Sequence, residues 1–511
     1  MMQTFSDDEV VDVVVVGSGA GGAPLTARLA DAGLRVVVLE AGPDFALHDF
    51  TPDELEATKI NWMSDRLSGG DDPTAFGPNN SGYGVGGSTL HWGAFTPRPD
   101  PRDLTLRTET GLGRDWPIDH AELDGYIEQV ESDIGVSGPR HYPWDPDRRY
   151  AYPPVRRNAS SDAMIRGCDA LGITATDGPA AILTRDRDQP HYGLRRATLD
   201  NGDIHQGDRF GAKATTAITY LPAAVAAGAE IRPDSMVHDI ERDAAGRITA
   251  VVYRRGGIDR RQRCGALVLA AGGVETPRLL LHTGIANANG QVGRNFLAHG
   301  GAQVWGRFDE RIRGYRGYPS SIISEDFVRP DDADFAGGYL LQSLGVMPLN
   351  FGTQLVRGAG LWGADLMTAI DGYSFSAGIG MNGECLPSEA NALTLTDEIA
   401  DDGMPVAQIL FSQGENERAI DAHAIAVMER ILRAAGATST RVLQRSCHTL
   451  GTCRMSEDPE DGVVDAAGRS HEIDNLWICD NSTFPSALTA NPALTQMALS
   501  LRTADLMLDV R

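Results

Sequence analysis

The chain has 511 residues with 42% hydrophobic content, enough to bury a large core divided among two or three domains. Its formal net charge of −25 argues against nucleic acid and anionic membranes as partners, because both demand a concentrated basic surface. No stretch approaches the roughly eighteen consecutive apolar residues of a membrane helix, and the acidic Met1 to Val10 does not resemble a signal peptide, so a cytoplasmic location is expected.

The segment 12–42 predicts a strand, a glycine turn, a helix and a second strand. The apolar run Val13 to Val16 is too short for a helix and suits a strand buried on both faces of a parallel sheet. Glu40 follows the second strand, Val36 to Leu39, where a carboxylate can bind a ribose. The turn has the spacing G-x-G-x-x-G, formed by Gly17, Gly19 and Gly22. We therefore predict a dinucleotide site, and the motif alone does not distinguish a nicotinamide from a flavin.

The next informative stretch, Asn79 to Pro97, reads NNSGYGVGGSTLHWGAFTP and has almost no helical or strand periodicity. A glycine-rich run of this kind allows the main chain to lie flat on a ligand. Exposed loops are usually polar, whereas Leu90, Trp92 and Phe95 are apolar and favour burial. We therefore expect this run to cover a ligand.

A second junction between a strand and a helix is predicted in Leu267 to Gly284. An apolar strand runs into a turn of small residues, and Thr276 with Pro277 fits the N-cap and the first position of a helix. Before it, the alternating segments Ala229 to Asp239 and Ile248 to Arg254 favour a hairpin or a meander. We expect this junction to lie beside the nucleotide.

The C-terminal part predicts one more strand and helix. Leu476 to Cys479 is a short apolar strand that leads to Asp480. Asn491 and Pro492 then precede a helix over Ala493 to Leu508. The unpaired amide groups at the N-terminus of that helix suit the pyrimidine ring of a flavin.

The cysteines are Cys168, Cys264, Cys385, Cys447, Cys453 and Cys479. None belongs to a C-x-x-C pair or to a spacing typical of zinc ligands. We therefore expect buried thiols in their reduced state and no bound metal.

Motifs along nearly the whole chain resemble those of a known family. They are GSGAGG with the following EAG, VGGSTLHW, AAGGVETPRLLL, VGRNFLAH, GECLPSEANALTL, HTLGTCRM and ANPALT. In this order they resemble the glucose-methanol-choline (GMC) family of flavin oxidoreductases. The resemblance implies FAD as the cofactor and an α/β fold, α+β overall. A Rossmann-like FAD-binding domain would accompany a substrate domain with a six-stranded antiparallel sheet.

The resemblance also implies how the chain is divided and where FAD binds. Residues 1–99, 200–300 and 445–511 would form a discontinuous FAD-binding domain, and residues 100–199 and 301–444 the substrate-binding domain. Asp480 is expected near the ribityl or pyrophosphate group, and the Val237 backbone near the adenine. The expected cofactor residues are Gly17, Gly19, Ala20, Gly22, Glu40, Ala41, Gly86, Ser88, His91, Trp92, Gly93, Ala94, Val237, Ala271, Gly272, Asp480, Asn491, Pro492, Leu494 and Thr495.

Alcohol oxidation by a flavin needs a base for the hydroxyl proton while hydride passes to flavin N5, and a neutral imidazole suits this task near pH 7. By resemblance, His448 is that base and Asn491 holds the substrate oxygen. His91 matches a histidine that pyranose oxidases bond covalently to the flavin, and the sequence leaves open whether that bond forms here. For Glu384 and Asn391, packing and turn formation are expected rather than catalysis.

The ending ANPALT and the pair His91-Trp92 resemble the pyranose oxidase branch, including bacterial enzymes that oxidise sugars or C-glycosides. The favoured activity oxidises a secondary hydroxyl of a pyranose sugar or glycoside to a ketone and passes electrons to O2 or a quinone-type acceptor. A monomer or a dimer is expected. Two alternatives stay open: an FAD enzyme for another alcohol, such as a polyol, a sterol or choline, and a flavoprotein that performs no net oxidation, such as a lyase.

Overall fold

The computed structural model describes residues 3–74, 81–331 and 333–510, so the first two residues of the run Asn79 to Pro97 lie outside the described part. The helices are α1 Gly22–Asp31, α2 Leu106–Thr110, α3 His120–Ile134, α4 Ala159–Leu171, α5 Thr216–Thr219, α6 Leu221–Ala226, α7 Gly272–Thr283, α8 Pro348–Ala359, α9 Gly363–Asp371, α10 Glu415–Ala434 and α11 Pro492–Asp509. Among the described residues, none of these helices is both long and apolar enough to cross a membrane.

The described residues also form twenty strands. They are β1 Val10–Val16, β2 Val36–Leu39, β3 Arg66–Gly69, β4 Thr176–Asp177, β5 Arg187–Gln189, β6 Gly193–Arg195, β7 Glu230–Arg232, β8 Met236–Arg242, β9 Ile248–Arg255, β10 Ile258–Leu269, β11 Leu297–Gly300, β12 Gln303–Arg307, β13 Ile322–Ser324, β14 Tyr339–Leu344, β15 Ser376–Gly383, β16 Ala392–Ile399, β17 Pro405–Leu410, β18 Ser439–Leu443, β19 Ser446–Leu450 and β20 Leu476–Ile478. The predicted mixed α/β fold is confirmed.

The first sheet has the order β7-β2-β1-β10-β9-β8, with β20 added beside β10. Strands β7, β2, β1, β10 and β20 are parallel, whereas β9 and β8 continue the sheet as an antiparallel hairpin. The predicted antiparallel pairing is confirmed for β8 and β9, but the first part of the segment Ala229 to Asp239 forms β7 at the opposite edge of the sheet. The long strand β10 connects the two parts, because its first half pairs with β9 and its second half with β20.

Strand β1 is buried on both faces, as its apolar run predicts. Val13 and Val15 belong to the core cluster that also holds residues of α1 and α11, and Val14 and Val16 belong to the larger core on the opposite face. Burying a side chain of this size contributes about 1.5–3 kcal/mol. The glycine turn that follows β1 is thus anchored on a rigid strand.

The second sheet is antiparallel as expected, and its main path of six strands runs β18-β12-β15-β14-β13-β4. Strands β11 and β19 add to this path, so the sheet counts eight strands among the described residues. The two extra strands arise because β11 pairs with β19 on one side and, through Gly300, with Gly383 of β15 on the other. Helices α4 and α10 cover one face of the sheet, where the cluster with Val304 and Leu341 forms.

Candidate functional site

A cavity of about 780 Å³ lies between the carboxyl edge of the parallel strands and the face of the second sheet opposite α4 and α10, where α8 also packs. In open sheets of parallel strands, ligands bind beyond the carboxyl ends. Most of the predicted site residues line the cavity: Gly17, Gly19, Ala20, Glu40, Ala41, Ser88, His91, Trp92, Gly93, Ala94, Val237, Ala271, Gly272, His448, Asp480, Asn491 and Pro492. The four that do not line it are Gly22, Gly86, Leu494 and Thr495.

In the glycine turn after β1, packing requires two of the three glycines. Gly17 has φ +99°, and a Cβ there would lie 2.4 Å from the carbonyl oxygen of Ala270. A Cβ on Gly22 would lie 2.0 Å from the Gly17 carbonyl oxygen, so this glycine permits α1 to pack on β1 and lies behind the cavity wall. At Gly19 the nearest atom to an added Cβ is 3.6 Å away, so packing does not require glycine there.

Glu40 joins the end of β2 to the glycine turn. Its Oε2 accepts hydrogen bonds from the backbone N–H of Ser18 at 3.0 Å and from the Ser18 hydroxyl at 2.7 Å, and its Oε1 accepts from the Gly42 N–H at 3.0 Å. Burial raises the pKa of this carboxyl, and the hydrogen bonds from Ser18 and Gly42 oppose the rise. Glu40 therefore shapes the turn, and its predicted bond to a ribose stays a prediction.

Residues 81–97 fold over this turn. The Gly86 N–H donates to the Ser18 hydroxyl at 2.9 Å, which turns this glycine toward the protein rather than toward the cavity. Gly87 has φ +54°, and a Cβ there would lie 2.8 Å from the Gly19 Cα. A short 3₁₀ helix over Gly87–Leu90 then leads into the segment 91–94, which lines the cavity.

His91 is buried in this cavity wall with one ring nitrogen unsatisfied. Its Nε2 has no hydrogen-bond partner among the described residues, and the residue is 5% exposed. Behind it, Nζ of the buried Lys213 donates to the carbonyl oxygens of Leu90 at 2.8 Å and Ile204 at 2.6 Å. Burial and the nearby Lys213 lower the pKa of His91 to about 3, so its ring is neutral. A neutral, unpartnered nitrogen at a cavity wall is available to a ligand.

The second junction of strand and helix differs from its prediction. Helix α7 begins at Gly272, whose φ is +90°, so Thr276 and Pro277 lie inside the helix instead of opening it. Pro277 has no N–H for the carbonyl oxygen of Gly273, and the Thr452 hydroxyl donates to that oxygen at 2.8 Å instead. The lost bond is thus replaced from a neighbouring segment, which permits proline within the helix.

Asp480 ties this junction to β20. Its Oδ2 accepts hydrogen bonds from the Gly272 N–H at 2.9 Å and from the Thr276 hydroxyl at 2.6 Å, and its Oδ1 accepts from the Ser482 N–H at 2.9 Å. Burial raises the pKa of this carboxyl, and the bonds to Ser482 and Thr276 oppose the rise. Asp480 therefore fixes the cavity edge, while its predicted contact with the ribityl or pyrophosphate group stays a prediction.

The predicted pair of catalytic residues meets the cavity from two elements. His448 lies on β19, with φ +61° and Nδ1 2.8 Å from Nδ1 of His299 on β11. Burial, then His299 and Arg445, lowers the pKa of His448 well below 6.5, so its ring is neutral near pH 7. Asn491 precedes α11 and its Oδ1 accepts a hydrogen bond from the Asn382 amide at 2.9 Å.

The predicted C-terminal helix is confirmed as α11, and only some of the residues at its start line the cavity. Asn491 and Pro492 line the cavity. Leu494 and Thr495 are fully buried, because they lie on the side of the helix that packs into the core. Neither residue lines the cavity, so their predicted contact with the cofactor stays a prediction.

Amide side chains from the second sheet line the cavity on the other side. Gln303, Gln342 and Asn382 project from β12, β14 and β15 into it, on the face opposite Val304 and Leu341, as strand alternation requires. The Oε1 of Gln342 is buried without a hydrogen-bond partner among the described residues. The Oε1 of Gln303 accepts from Trp305, which leaves its amide N–H groups for a ligand.

Every carboxylate in the cavity wall is engaged by protein groups. Besides Glu40 and Asp480, these are Glu54, which accepts from the N–H groups of Leu349 and Asn350, and Glu275, which pairs with Arg66. A cationic ligand would therefore find no carboxylate free of a protein partner among the described lining residues. The other charged side chains in the described part of this wall are Arg66, Arg357 and Arg445, and its remaining polar side chains are neutral.

Sequence reasoning missed His299, Asn382, Gln303 and Gln342. His299 ends the motif VGRNFLAH, which the family resemblance used without giving the histidine a role. Its contact with His448 depends on the pairing of β11 with β19, which aligns His299 with Cys447. Glu384 and Asn391 bond to backbone groups, as expected of packing residues.

Three family models match the chain. Models described as GMC oxidoreductase match residues 79–300 and 387–500, and one described as FAD binding domain matches residues 12–50. A 2-methyl-1,2-propanediol dehydrogenase of Mycolicibacterium austroafricanum is 31% identical over 98% of this chain and 96% of the relative. A fructose dehydrogenase large subunit of Gluconobacter japonicus is 29% identical over 98% of each chain. A solved formate oxidase of Aspergillus oryzae RIB40 has the same fold, with a TM-score of 0.68 at 14% identity over 99% of each chain.

Proposed function

The chain belongs to the GMC oxidoreductase family, and on this premise we propose that it oxidises a secondary hydroxyl of a pyranose sugar or glycoside to a ketone. It is an FAD-dependent oxidoreductase that acts on CH–OH groups of small molecules. The family membership gives the cofactor and the bond that is oxidised. The sugar as substrate, the pyranose oxidase branch and the roles of individual residues are our proposals.

The cavity residues fit FAD at two places, the glycine turn after β1 and the ring of His91. Gly19 lines the cavity, and helix α1 begins just behind it without an acidic residue in its first turn. The unpartnered Nε2 of His91 offers a site for the flavin ring system. Bound FAD supplies the acceptor for a hydride from the substrate carbon.

We propose His448 as the base that takes the proton of the substrate hydroxyl. Its pKa lies well below 6.5 because of burial, His299 and Arg445, so the ring is ready to accept a proton near pH 7. Asn491 would donate from its amide nitrogen to the substrate oxygen, because Asn382 already occupies its Oδ1. The two groups would therefore hold one oxygen between a donor and an acceptor.

The observation that carries the sugar proposal is the amide-lined wall. Gln303, Gln342 and Asn382 offer neutral donors and acceptors, and the buried Oε1 of Gln342 gains a partner only from a ligand hydroxyl or from water. A molecule with several hydroxyl groups matches such a wall. Choline does not, because the lining carboxylates Glu40, Glu54, Glu275 and Asp480 are all engaged. The fructose dehydrogenase relative supports the sugar, and the propanediol dehydrogenase relative supports a small polyol as the second candidate.

Several further features belong to the same proposal. The chain would divide into the predicted FAD-binding and substrate-binding domains, although β11 and β19, from segments predicted for FAD binding, join the antiparallel sheet. Electrons would pass from the flavin to O2 or a quinone-type acceptor, and the chain would act as a monomer or dimer in the cytoplasm. A covalent bond between His91 and the flavin is tested by acid precipitation, since only a covalently bound flavin keeps the pellet yellow.

The test is a panel of substrates mixed anaerobically with the purified yellow protein. Pyranoses and their glycosides should bleach the flavin, whereas choline and a sterol should not. Propanediols report on the second candidate. Peroxide measured with and without a quinone then identifies the acceptor. If only diols bleach the flavin, the sugar proposal is wrong, and if no alcohol does, net oxidation itself is excluded.

A further inference from the structure

We infer that His299 is a positioning residue that holds His448 in the one tautomer able to act as a base. The inference rests on the proposed function, since it concerns the same proton transfer. His299 lies on β11, is fully buried and does not line the cavity. It therefore acts on the substrate only through His448.

The hydrogen positions follow from a chain of contacts that begins at a carbonyl group. The Leu488 carbonyl oxygen can only accept a hydrogen bond, so Nε2 of His299, 3.1 Å away, carries the hydrogen. In a neutral ring, Nδ1 of His299 is then an acceptor. Nδ1 of His448, 2.8 Å from it, must donate, because two bare nitrogens at that distance would repel each other. Nε2 of His448 is left without a hydrogen and free to take the substrate proton.

Both rings are neutral in the pH range where this assignment matters. Burial lowers the pKa of His299 to about 4, and no carboxylate contributes to that shift. Around His448, the charged or titratable neighbours that affect its pKa are His299 and Arg445, and both lower it. A doubly protonated form of either ring is therefore disfavoured, and the order of hydrogens along the contact is unique.

The carbonyl that begins this chain is itself held in place. Leu488 has φ +69°, a left-handed backbone that is unusual for leucine. The N–H groups of Ala487 and Leu488 both donate to Oε1 of the buried Glu384, at 2.8 Å and 3.1 Å. This turn fixes the direction of the Leu488 carbonyl, which in turn fixes the tautomer of His299 and hence that of His448.

Two substitutions separate positioning from packing. In His299→Asn, the side-chain oxygen retains an acceptor near the former Nδ1, and in His299→Leu the volume is kept without an acceptor. Losing the partner that sets the tautomer of a catalytic histidine costs up to about 10⁴-fold in rate where that partner is a carboxylate. For a neutral partner we expect His299→Leu to slow anaerobic flavin reduction by about 100-fold, with substrate affinity changed less than threefold, and His299→Asn to retain most of the rate.

The tautomer itself provides a measurement that does not depend on the substrate. In FAD-loaded protein with ¹⁵N-labelled histidine, the signal of His448, assigned with His448→Gln, should show hydrogen on Nδ1 and none on Nε2. In His299→Leu the signal should become that of a mixture of tautomers. An unchanged signal in His299→Leu overturns the inference, as does an equal loss of rate in both variants. If no sugar reduces the flavin but the signals behave as expected, the proposed substrate is wrong and the role of His299 stands.

Discussion

Replacing Gly19 by alanine should weaken FAD binding while leaving the fold intact. The nearest atom to the added Cβ is 3.6 Å away, an ordinary van der Waals distance, so we expect the free energy of unfolding of the FAD-free protein to change by less than about 1 kcal/mol. The new methyl group would contact the main chain of Gly87 and Ser88, which line the cavity together with Gly19 at the proposed pyrophosphate site. Losing one hydrogen bond from a backbone N–H to a phosphate costs about 1.5–3 kcal/mol, which weakens FAD binding by about 10- to 150-fold.

Two other glycine-to-alanine variants serve as controls for this prediction. Gly125→Ala lies on an exposed position of α3 with nothing within 4 Å of the new Cβ, and it should stabilise the protein by about 1 kcal/mol without affecting FAD. In Gly21→Ala the Cβ would lie 1.8 Å from the Cys479 carbonyl oxygen, so the FAD-free protein itself should lose most of its stability. The assays are denaturant unfolding of the FAD-free protein and FAD titration followed by flavin fluorescence. Wild-type FAD affinity in Gly19→Ala would refute the assignment of this turn to the pyrophosphate.

Three further changes test the site. Arg445→Gln removes a positive charge that lowers the pKa of His448, so the pKa should rise and flavin reduction should be lost at a higher pH on acidification. A stopped-flow pH profile whose acid limb does not move would contradict this. Asn382→Leu frees Oδ1 of Asn491 and should slow flavin reduction by about 10-fold, the worth of one hydrogen bond, while FAD content stays normal. Burial and the nearby Asp103 raise the pKa of Glu384 to about 8, so the folded protein keeps the Glu384 proton at a pH where the unfolded chain has lost it. The contribution of Glu384 to the free energy of unfolding therefore falls as pH rises from about 5 to 8. Glu384→Gln cannot titrate and should gain stability relative to wild type across that window, which denaturant unfolding at pH 5 and pH 8 measures.

The nucleotide end of the site was predictable because its signal is local. The strand, the glycine turn, α1 and Glu40 all lie within a short segment, where apolar runs and glycine spacing decide the conformation. The same local logic gave the hairpin of β8 and β9. Local rules also misplaced the start of α7, because they assign proline to a first helical turn. They cannot anticipate that the Thr452 hydroxyl bonds the Gly273 carbonyl oxygen, which Pro277 leaves without its helical donor.

The catalytic end depends on pairings that no local pattern shows. His299 and His448 are 149 residues apart in the chain, and their contact requires β11 and β19 to pair in one register. Asn382 lies on β15 of the same sheet and donates a hydrogen bond to Asn491, which is 109 residues further along the chain. The two strands β11 and β19 also explain why the antiparallel sheet exceeds its predicted six strands. The family resemblance located His448 and Asn491, but not the groups that orient them.

The most direct test is anaerobic reduction of the flavin by a pyranose or its methyl glycoside in wild type and in His448→Ala, at equal FAD content. Wild type should bleach rapidly. His448→Ala should bind FAD normally and bleach at least about 100-fold more slowly, since general base catalysis contributes about 10²- to 10⁴-fold. Reduction of His448→Ala at a rate near that of wild type would show that this imidazole is not the base.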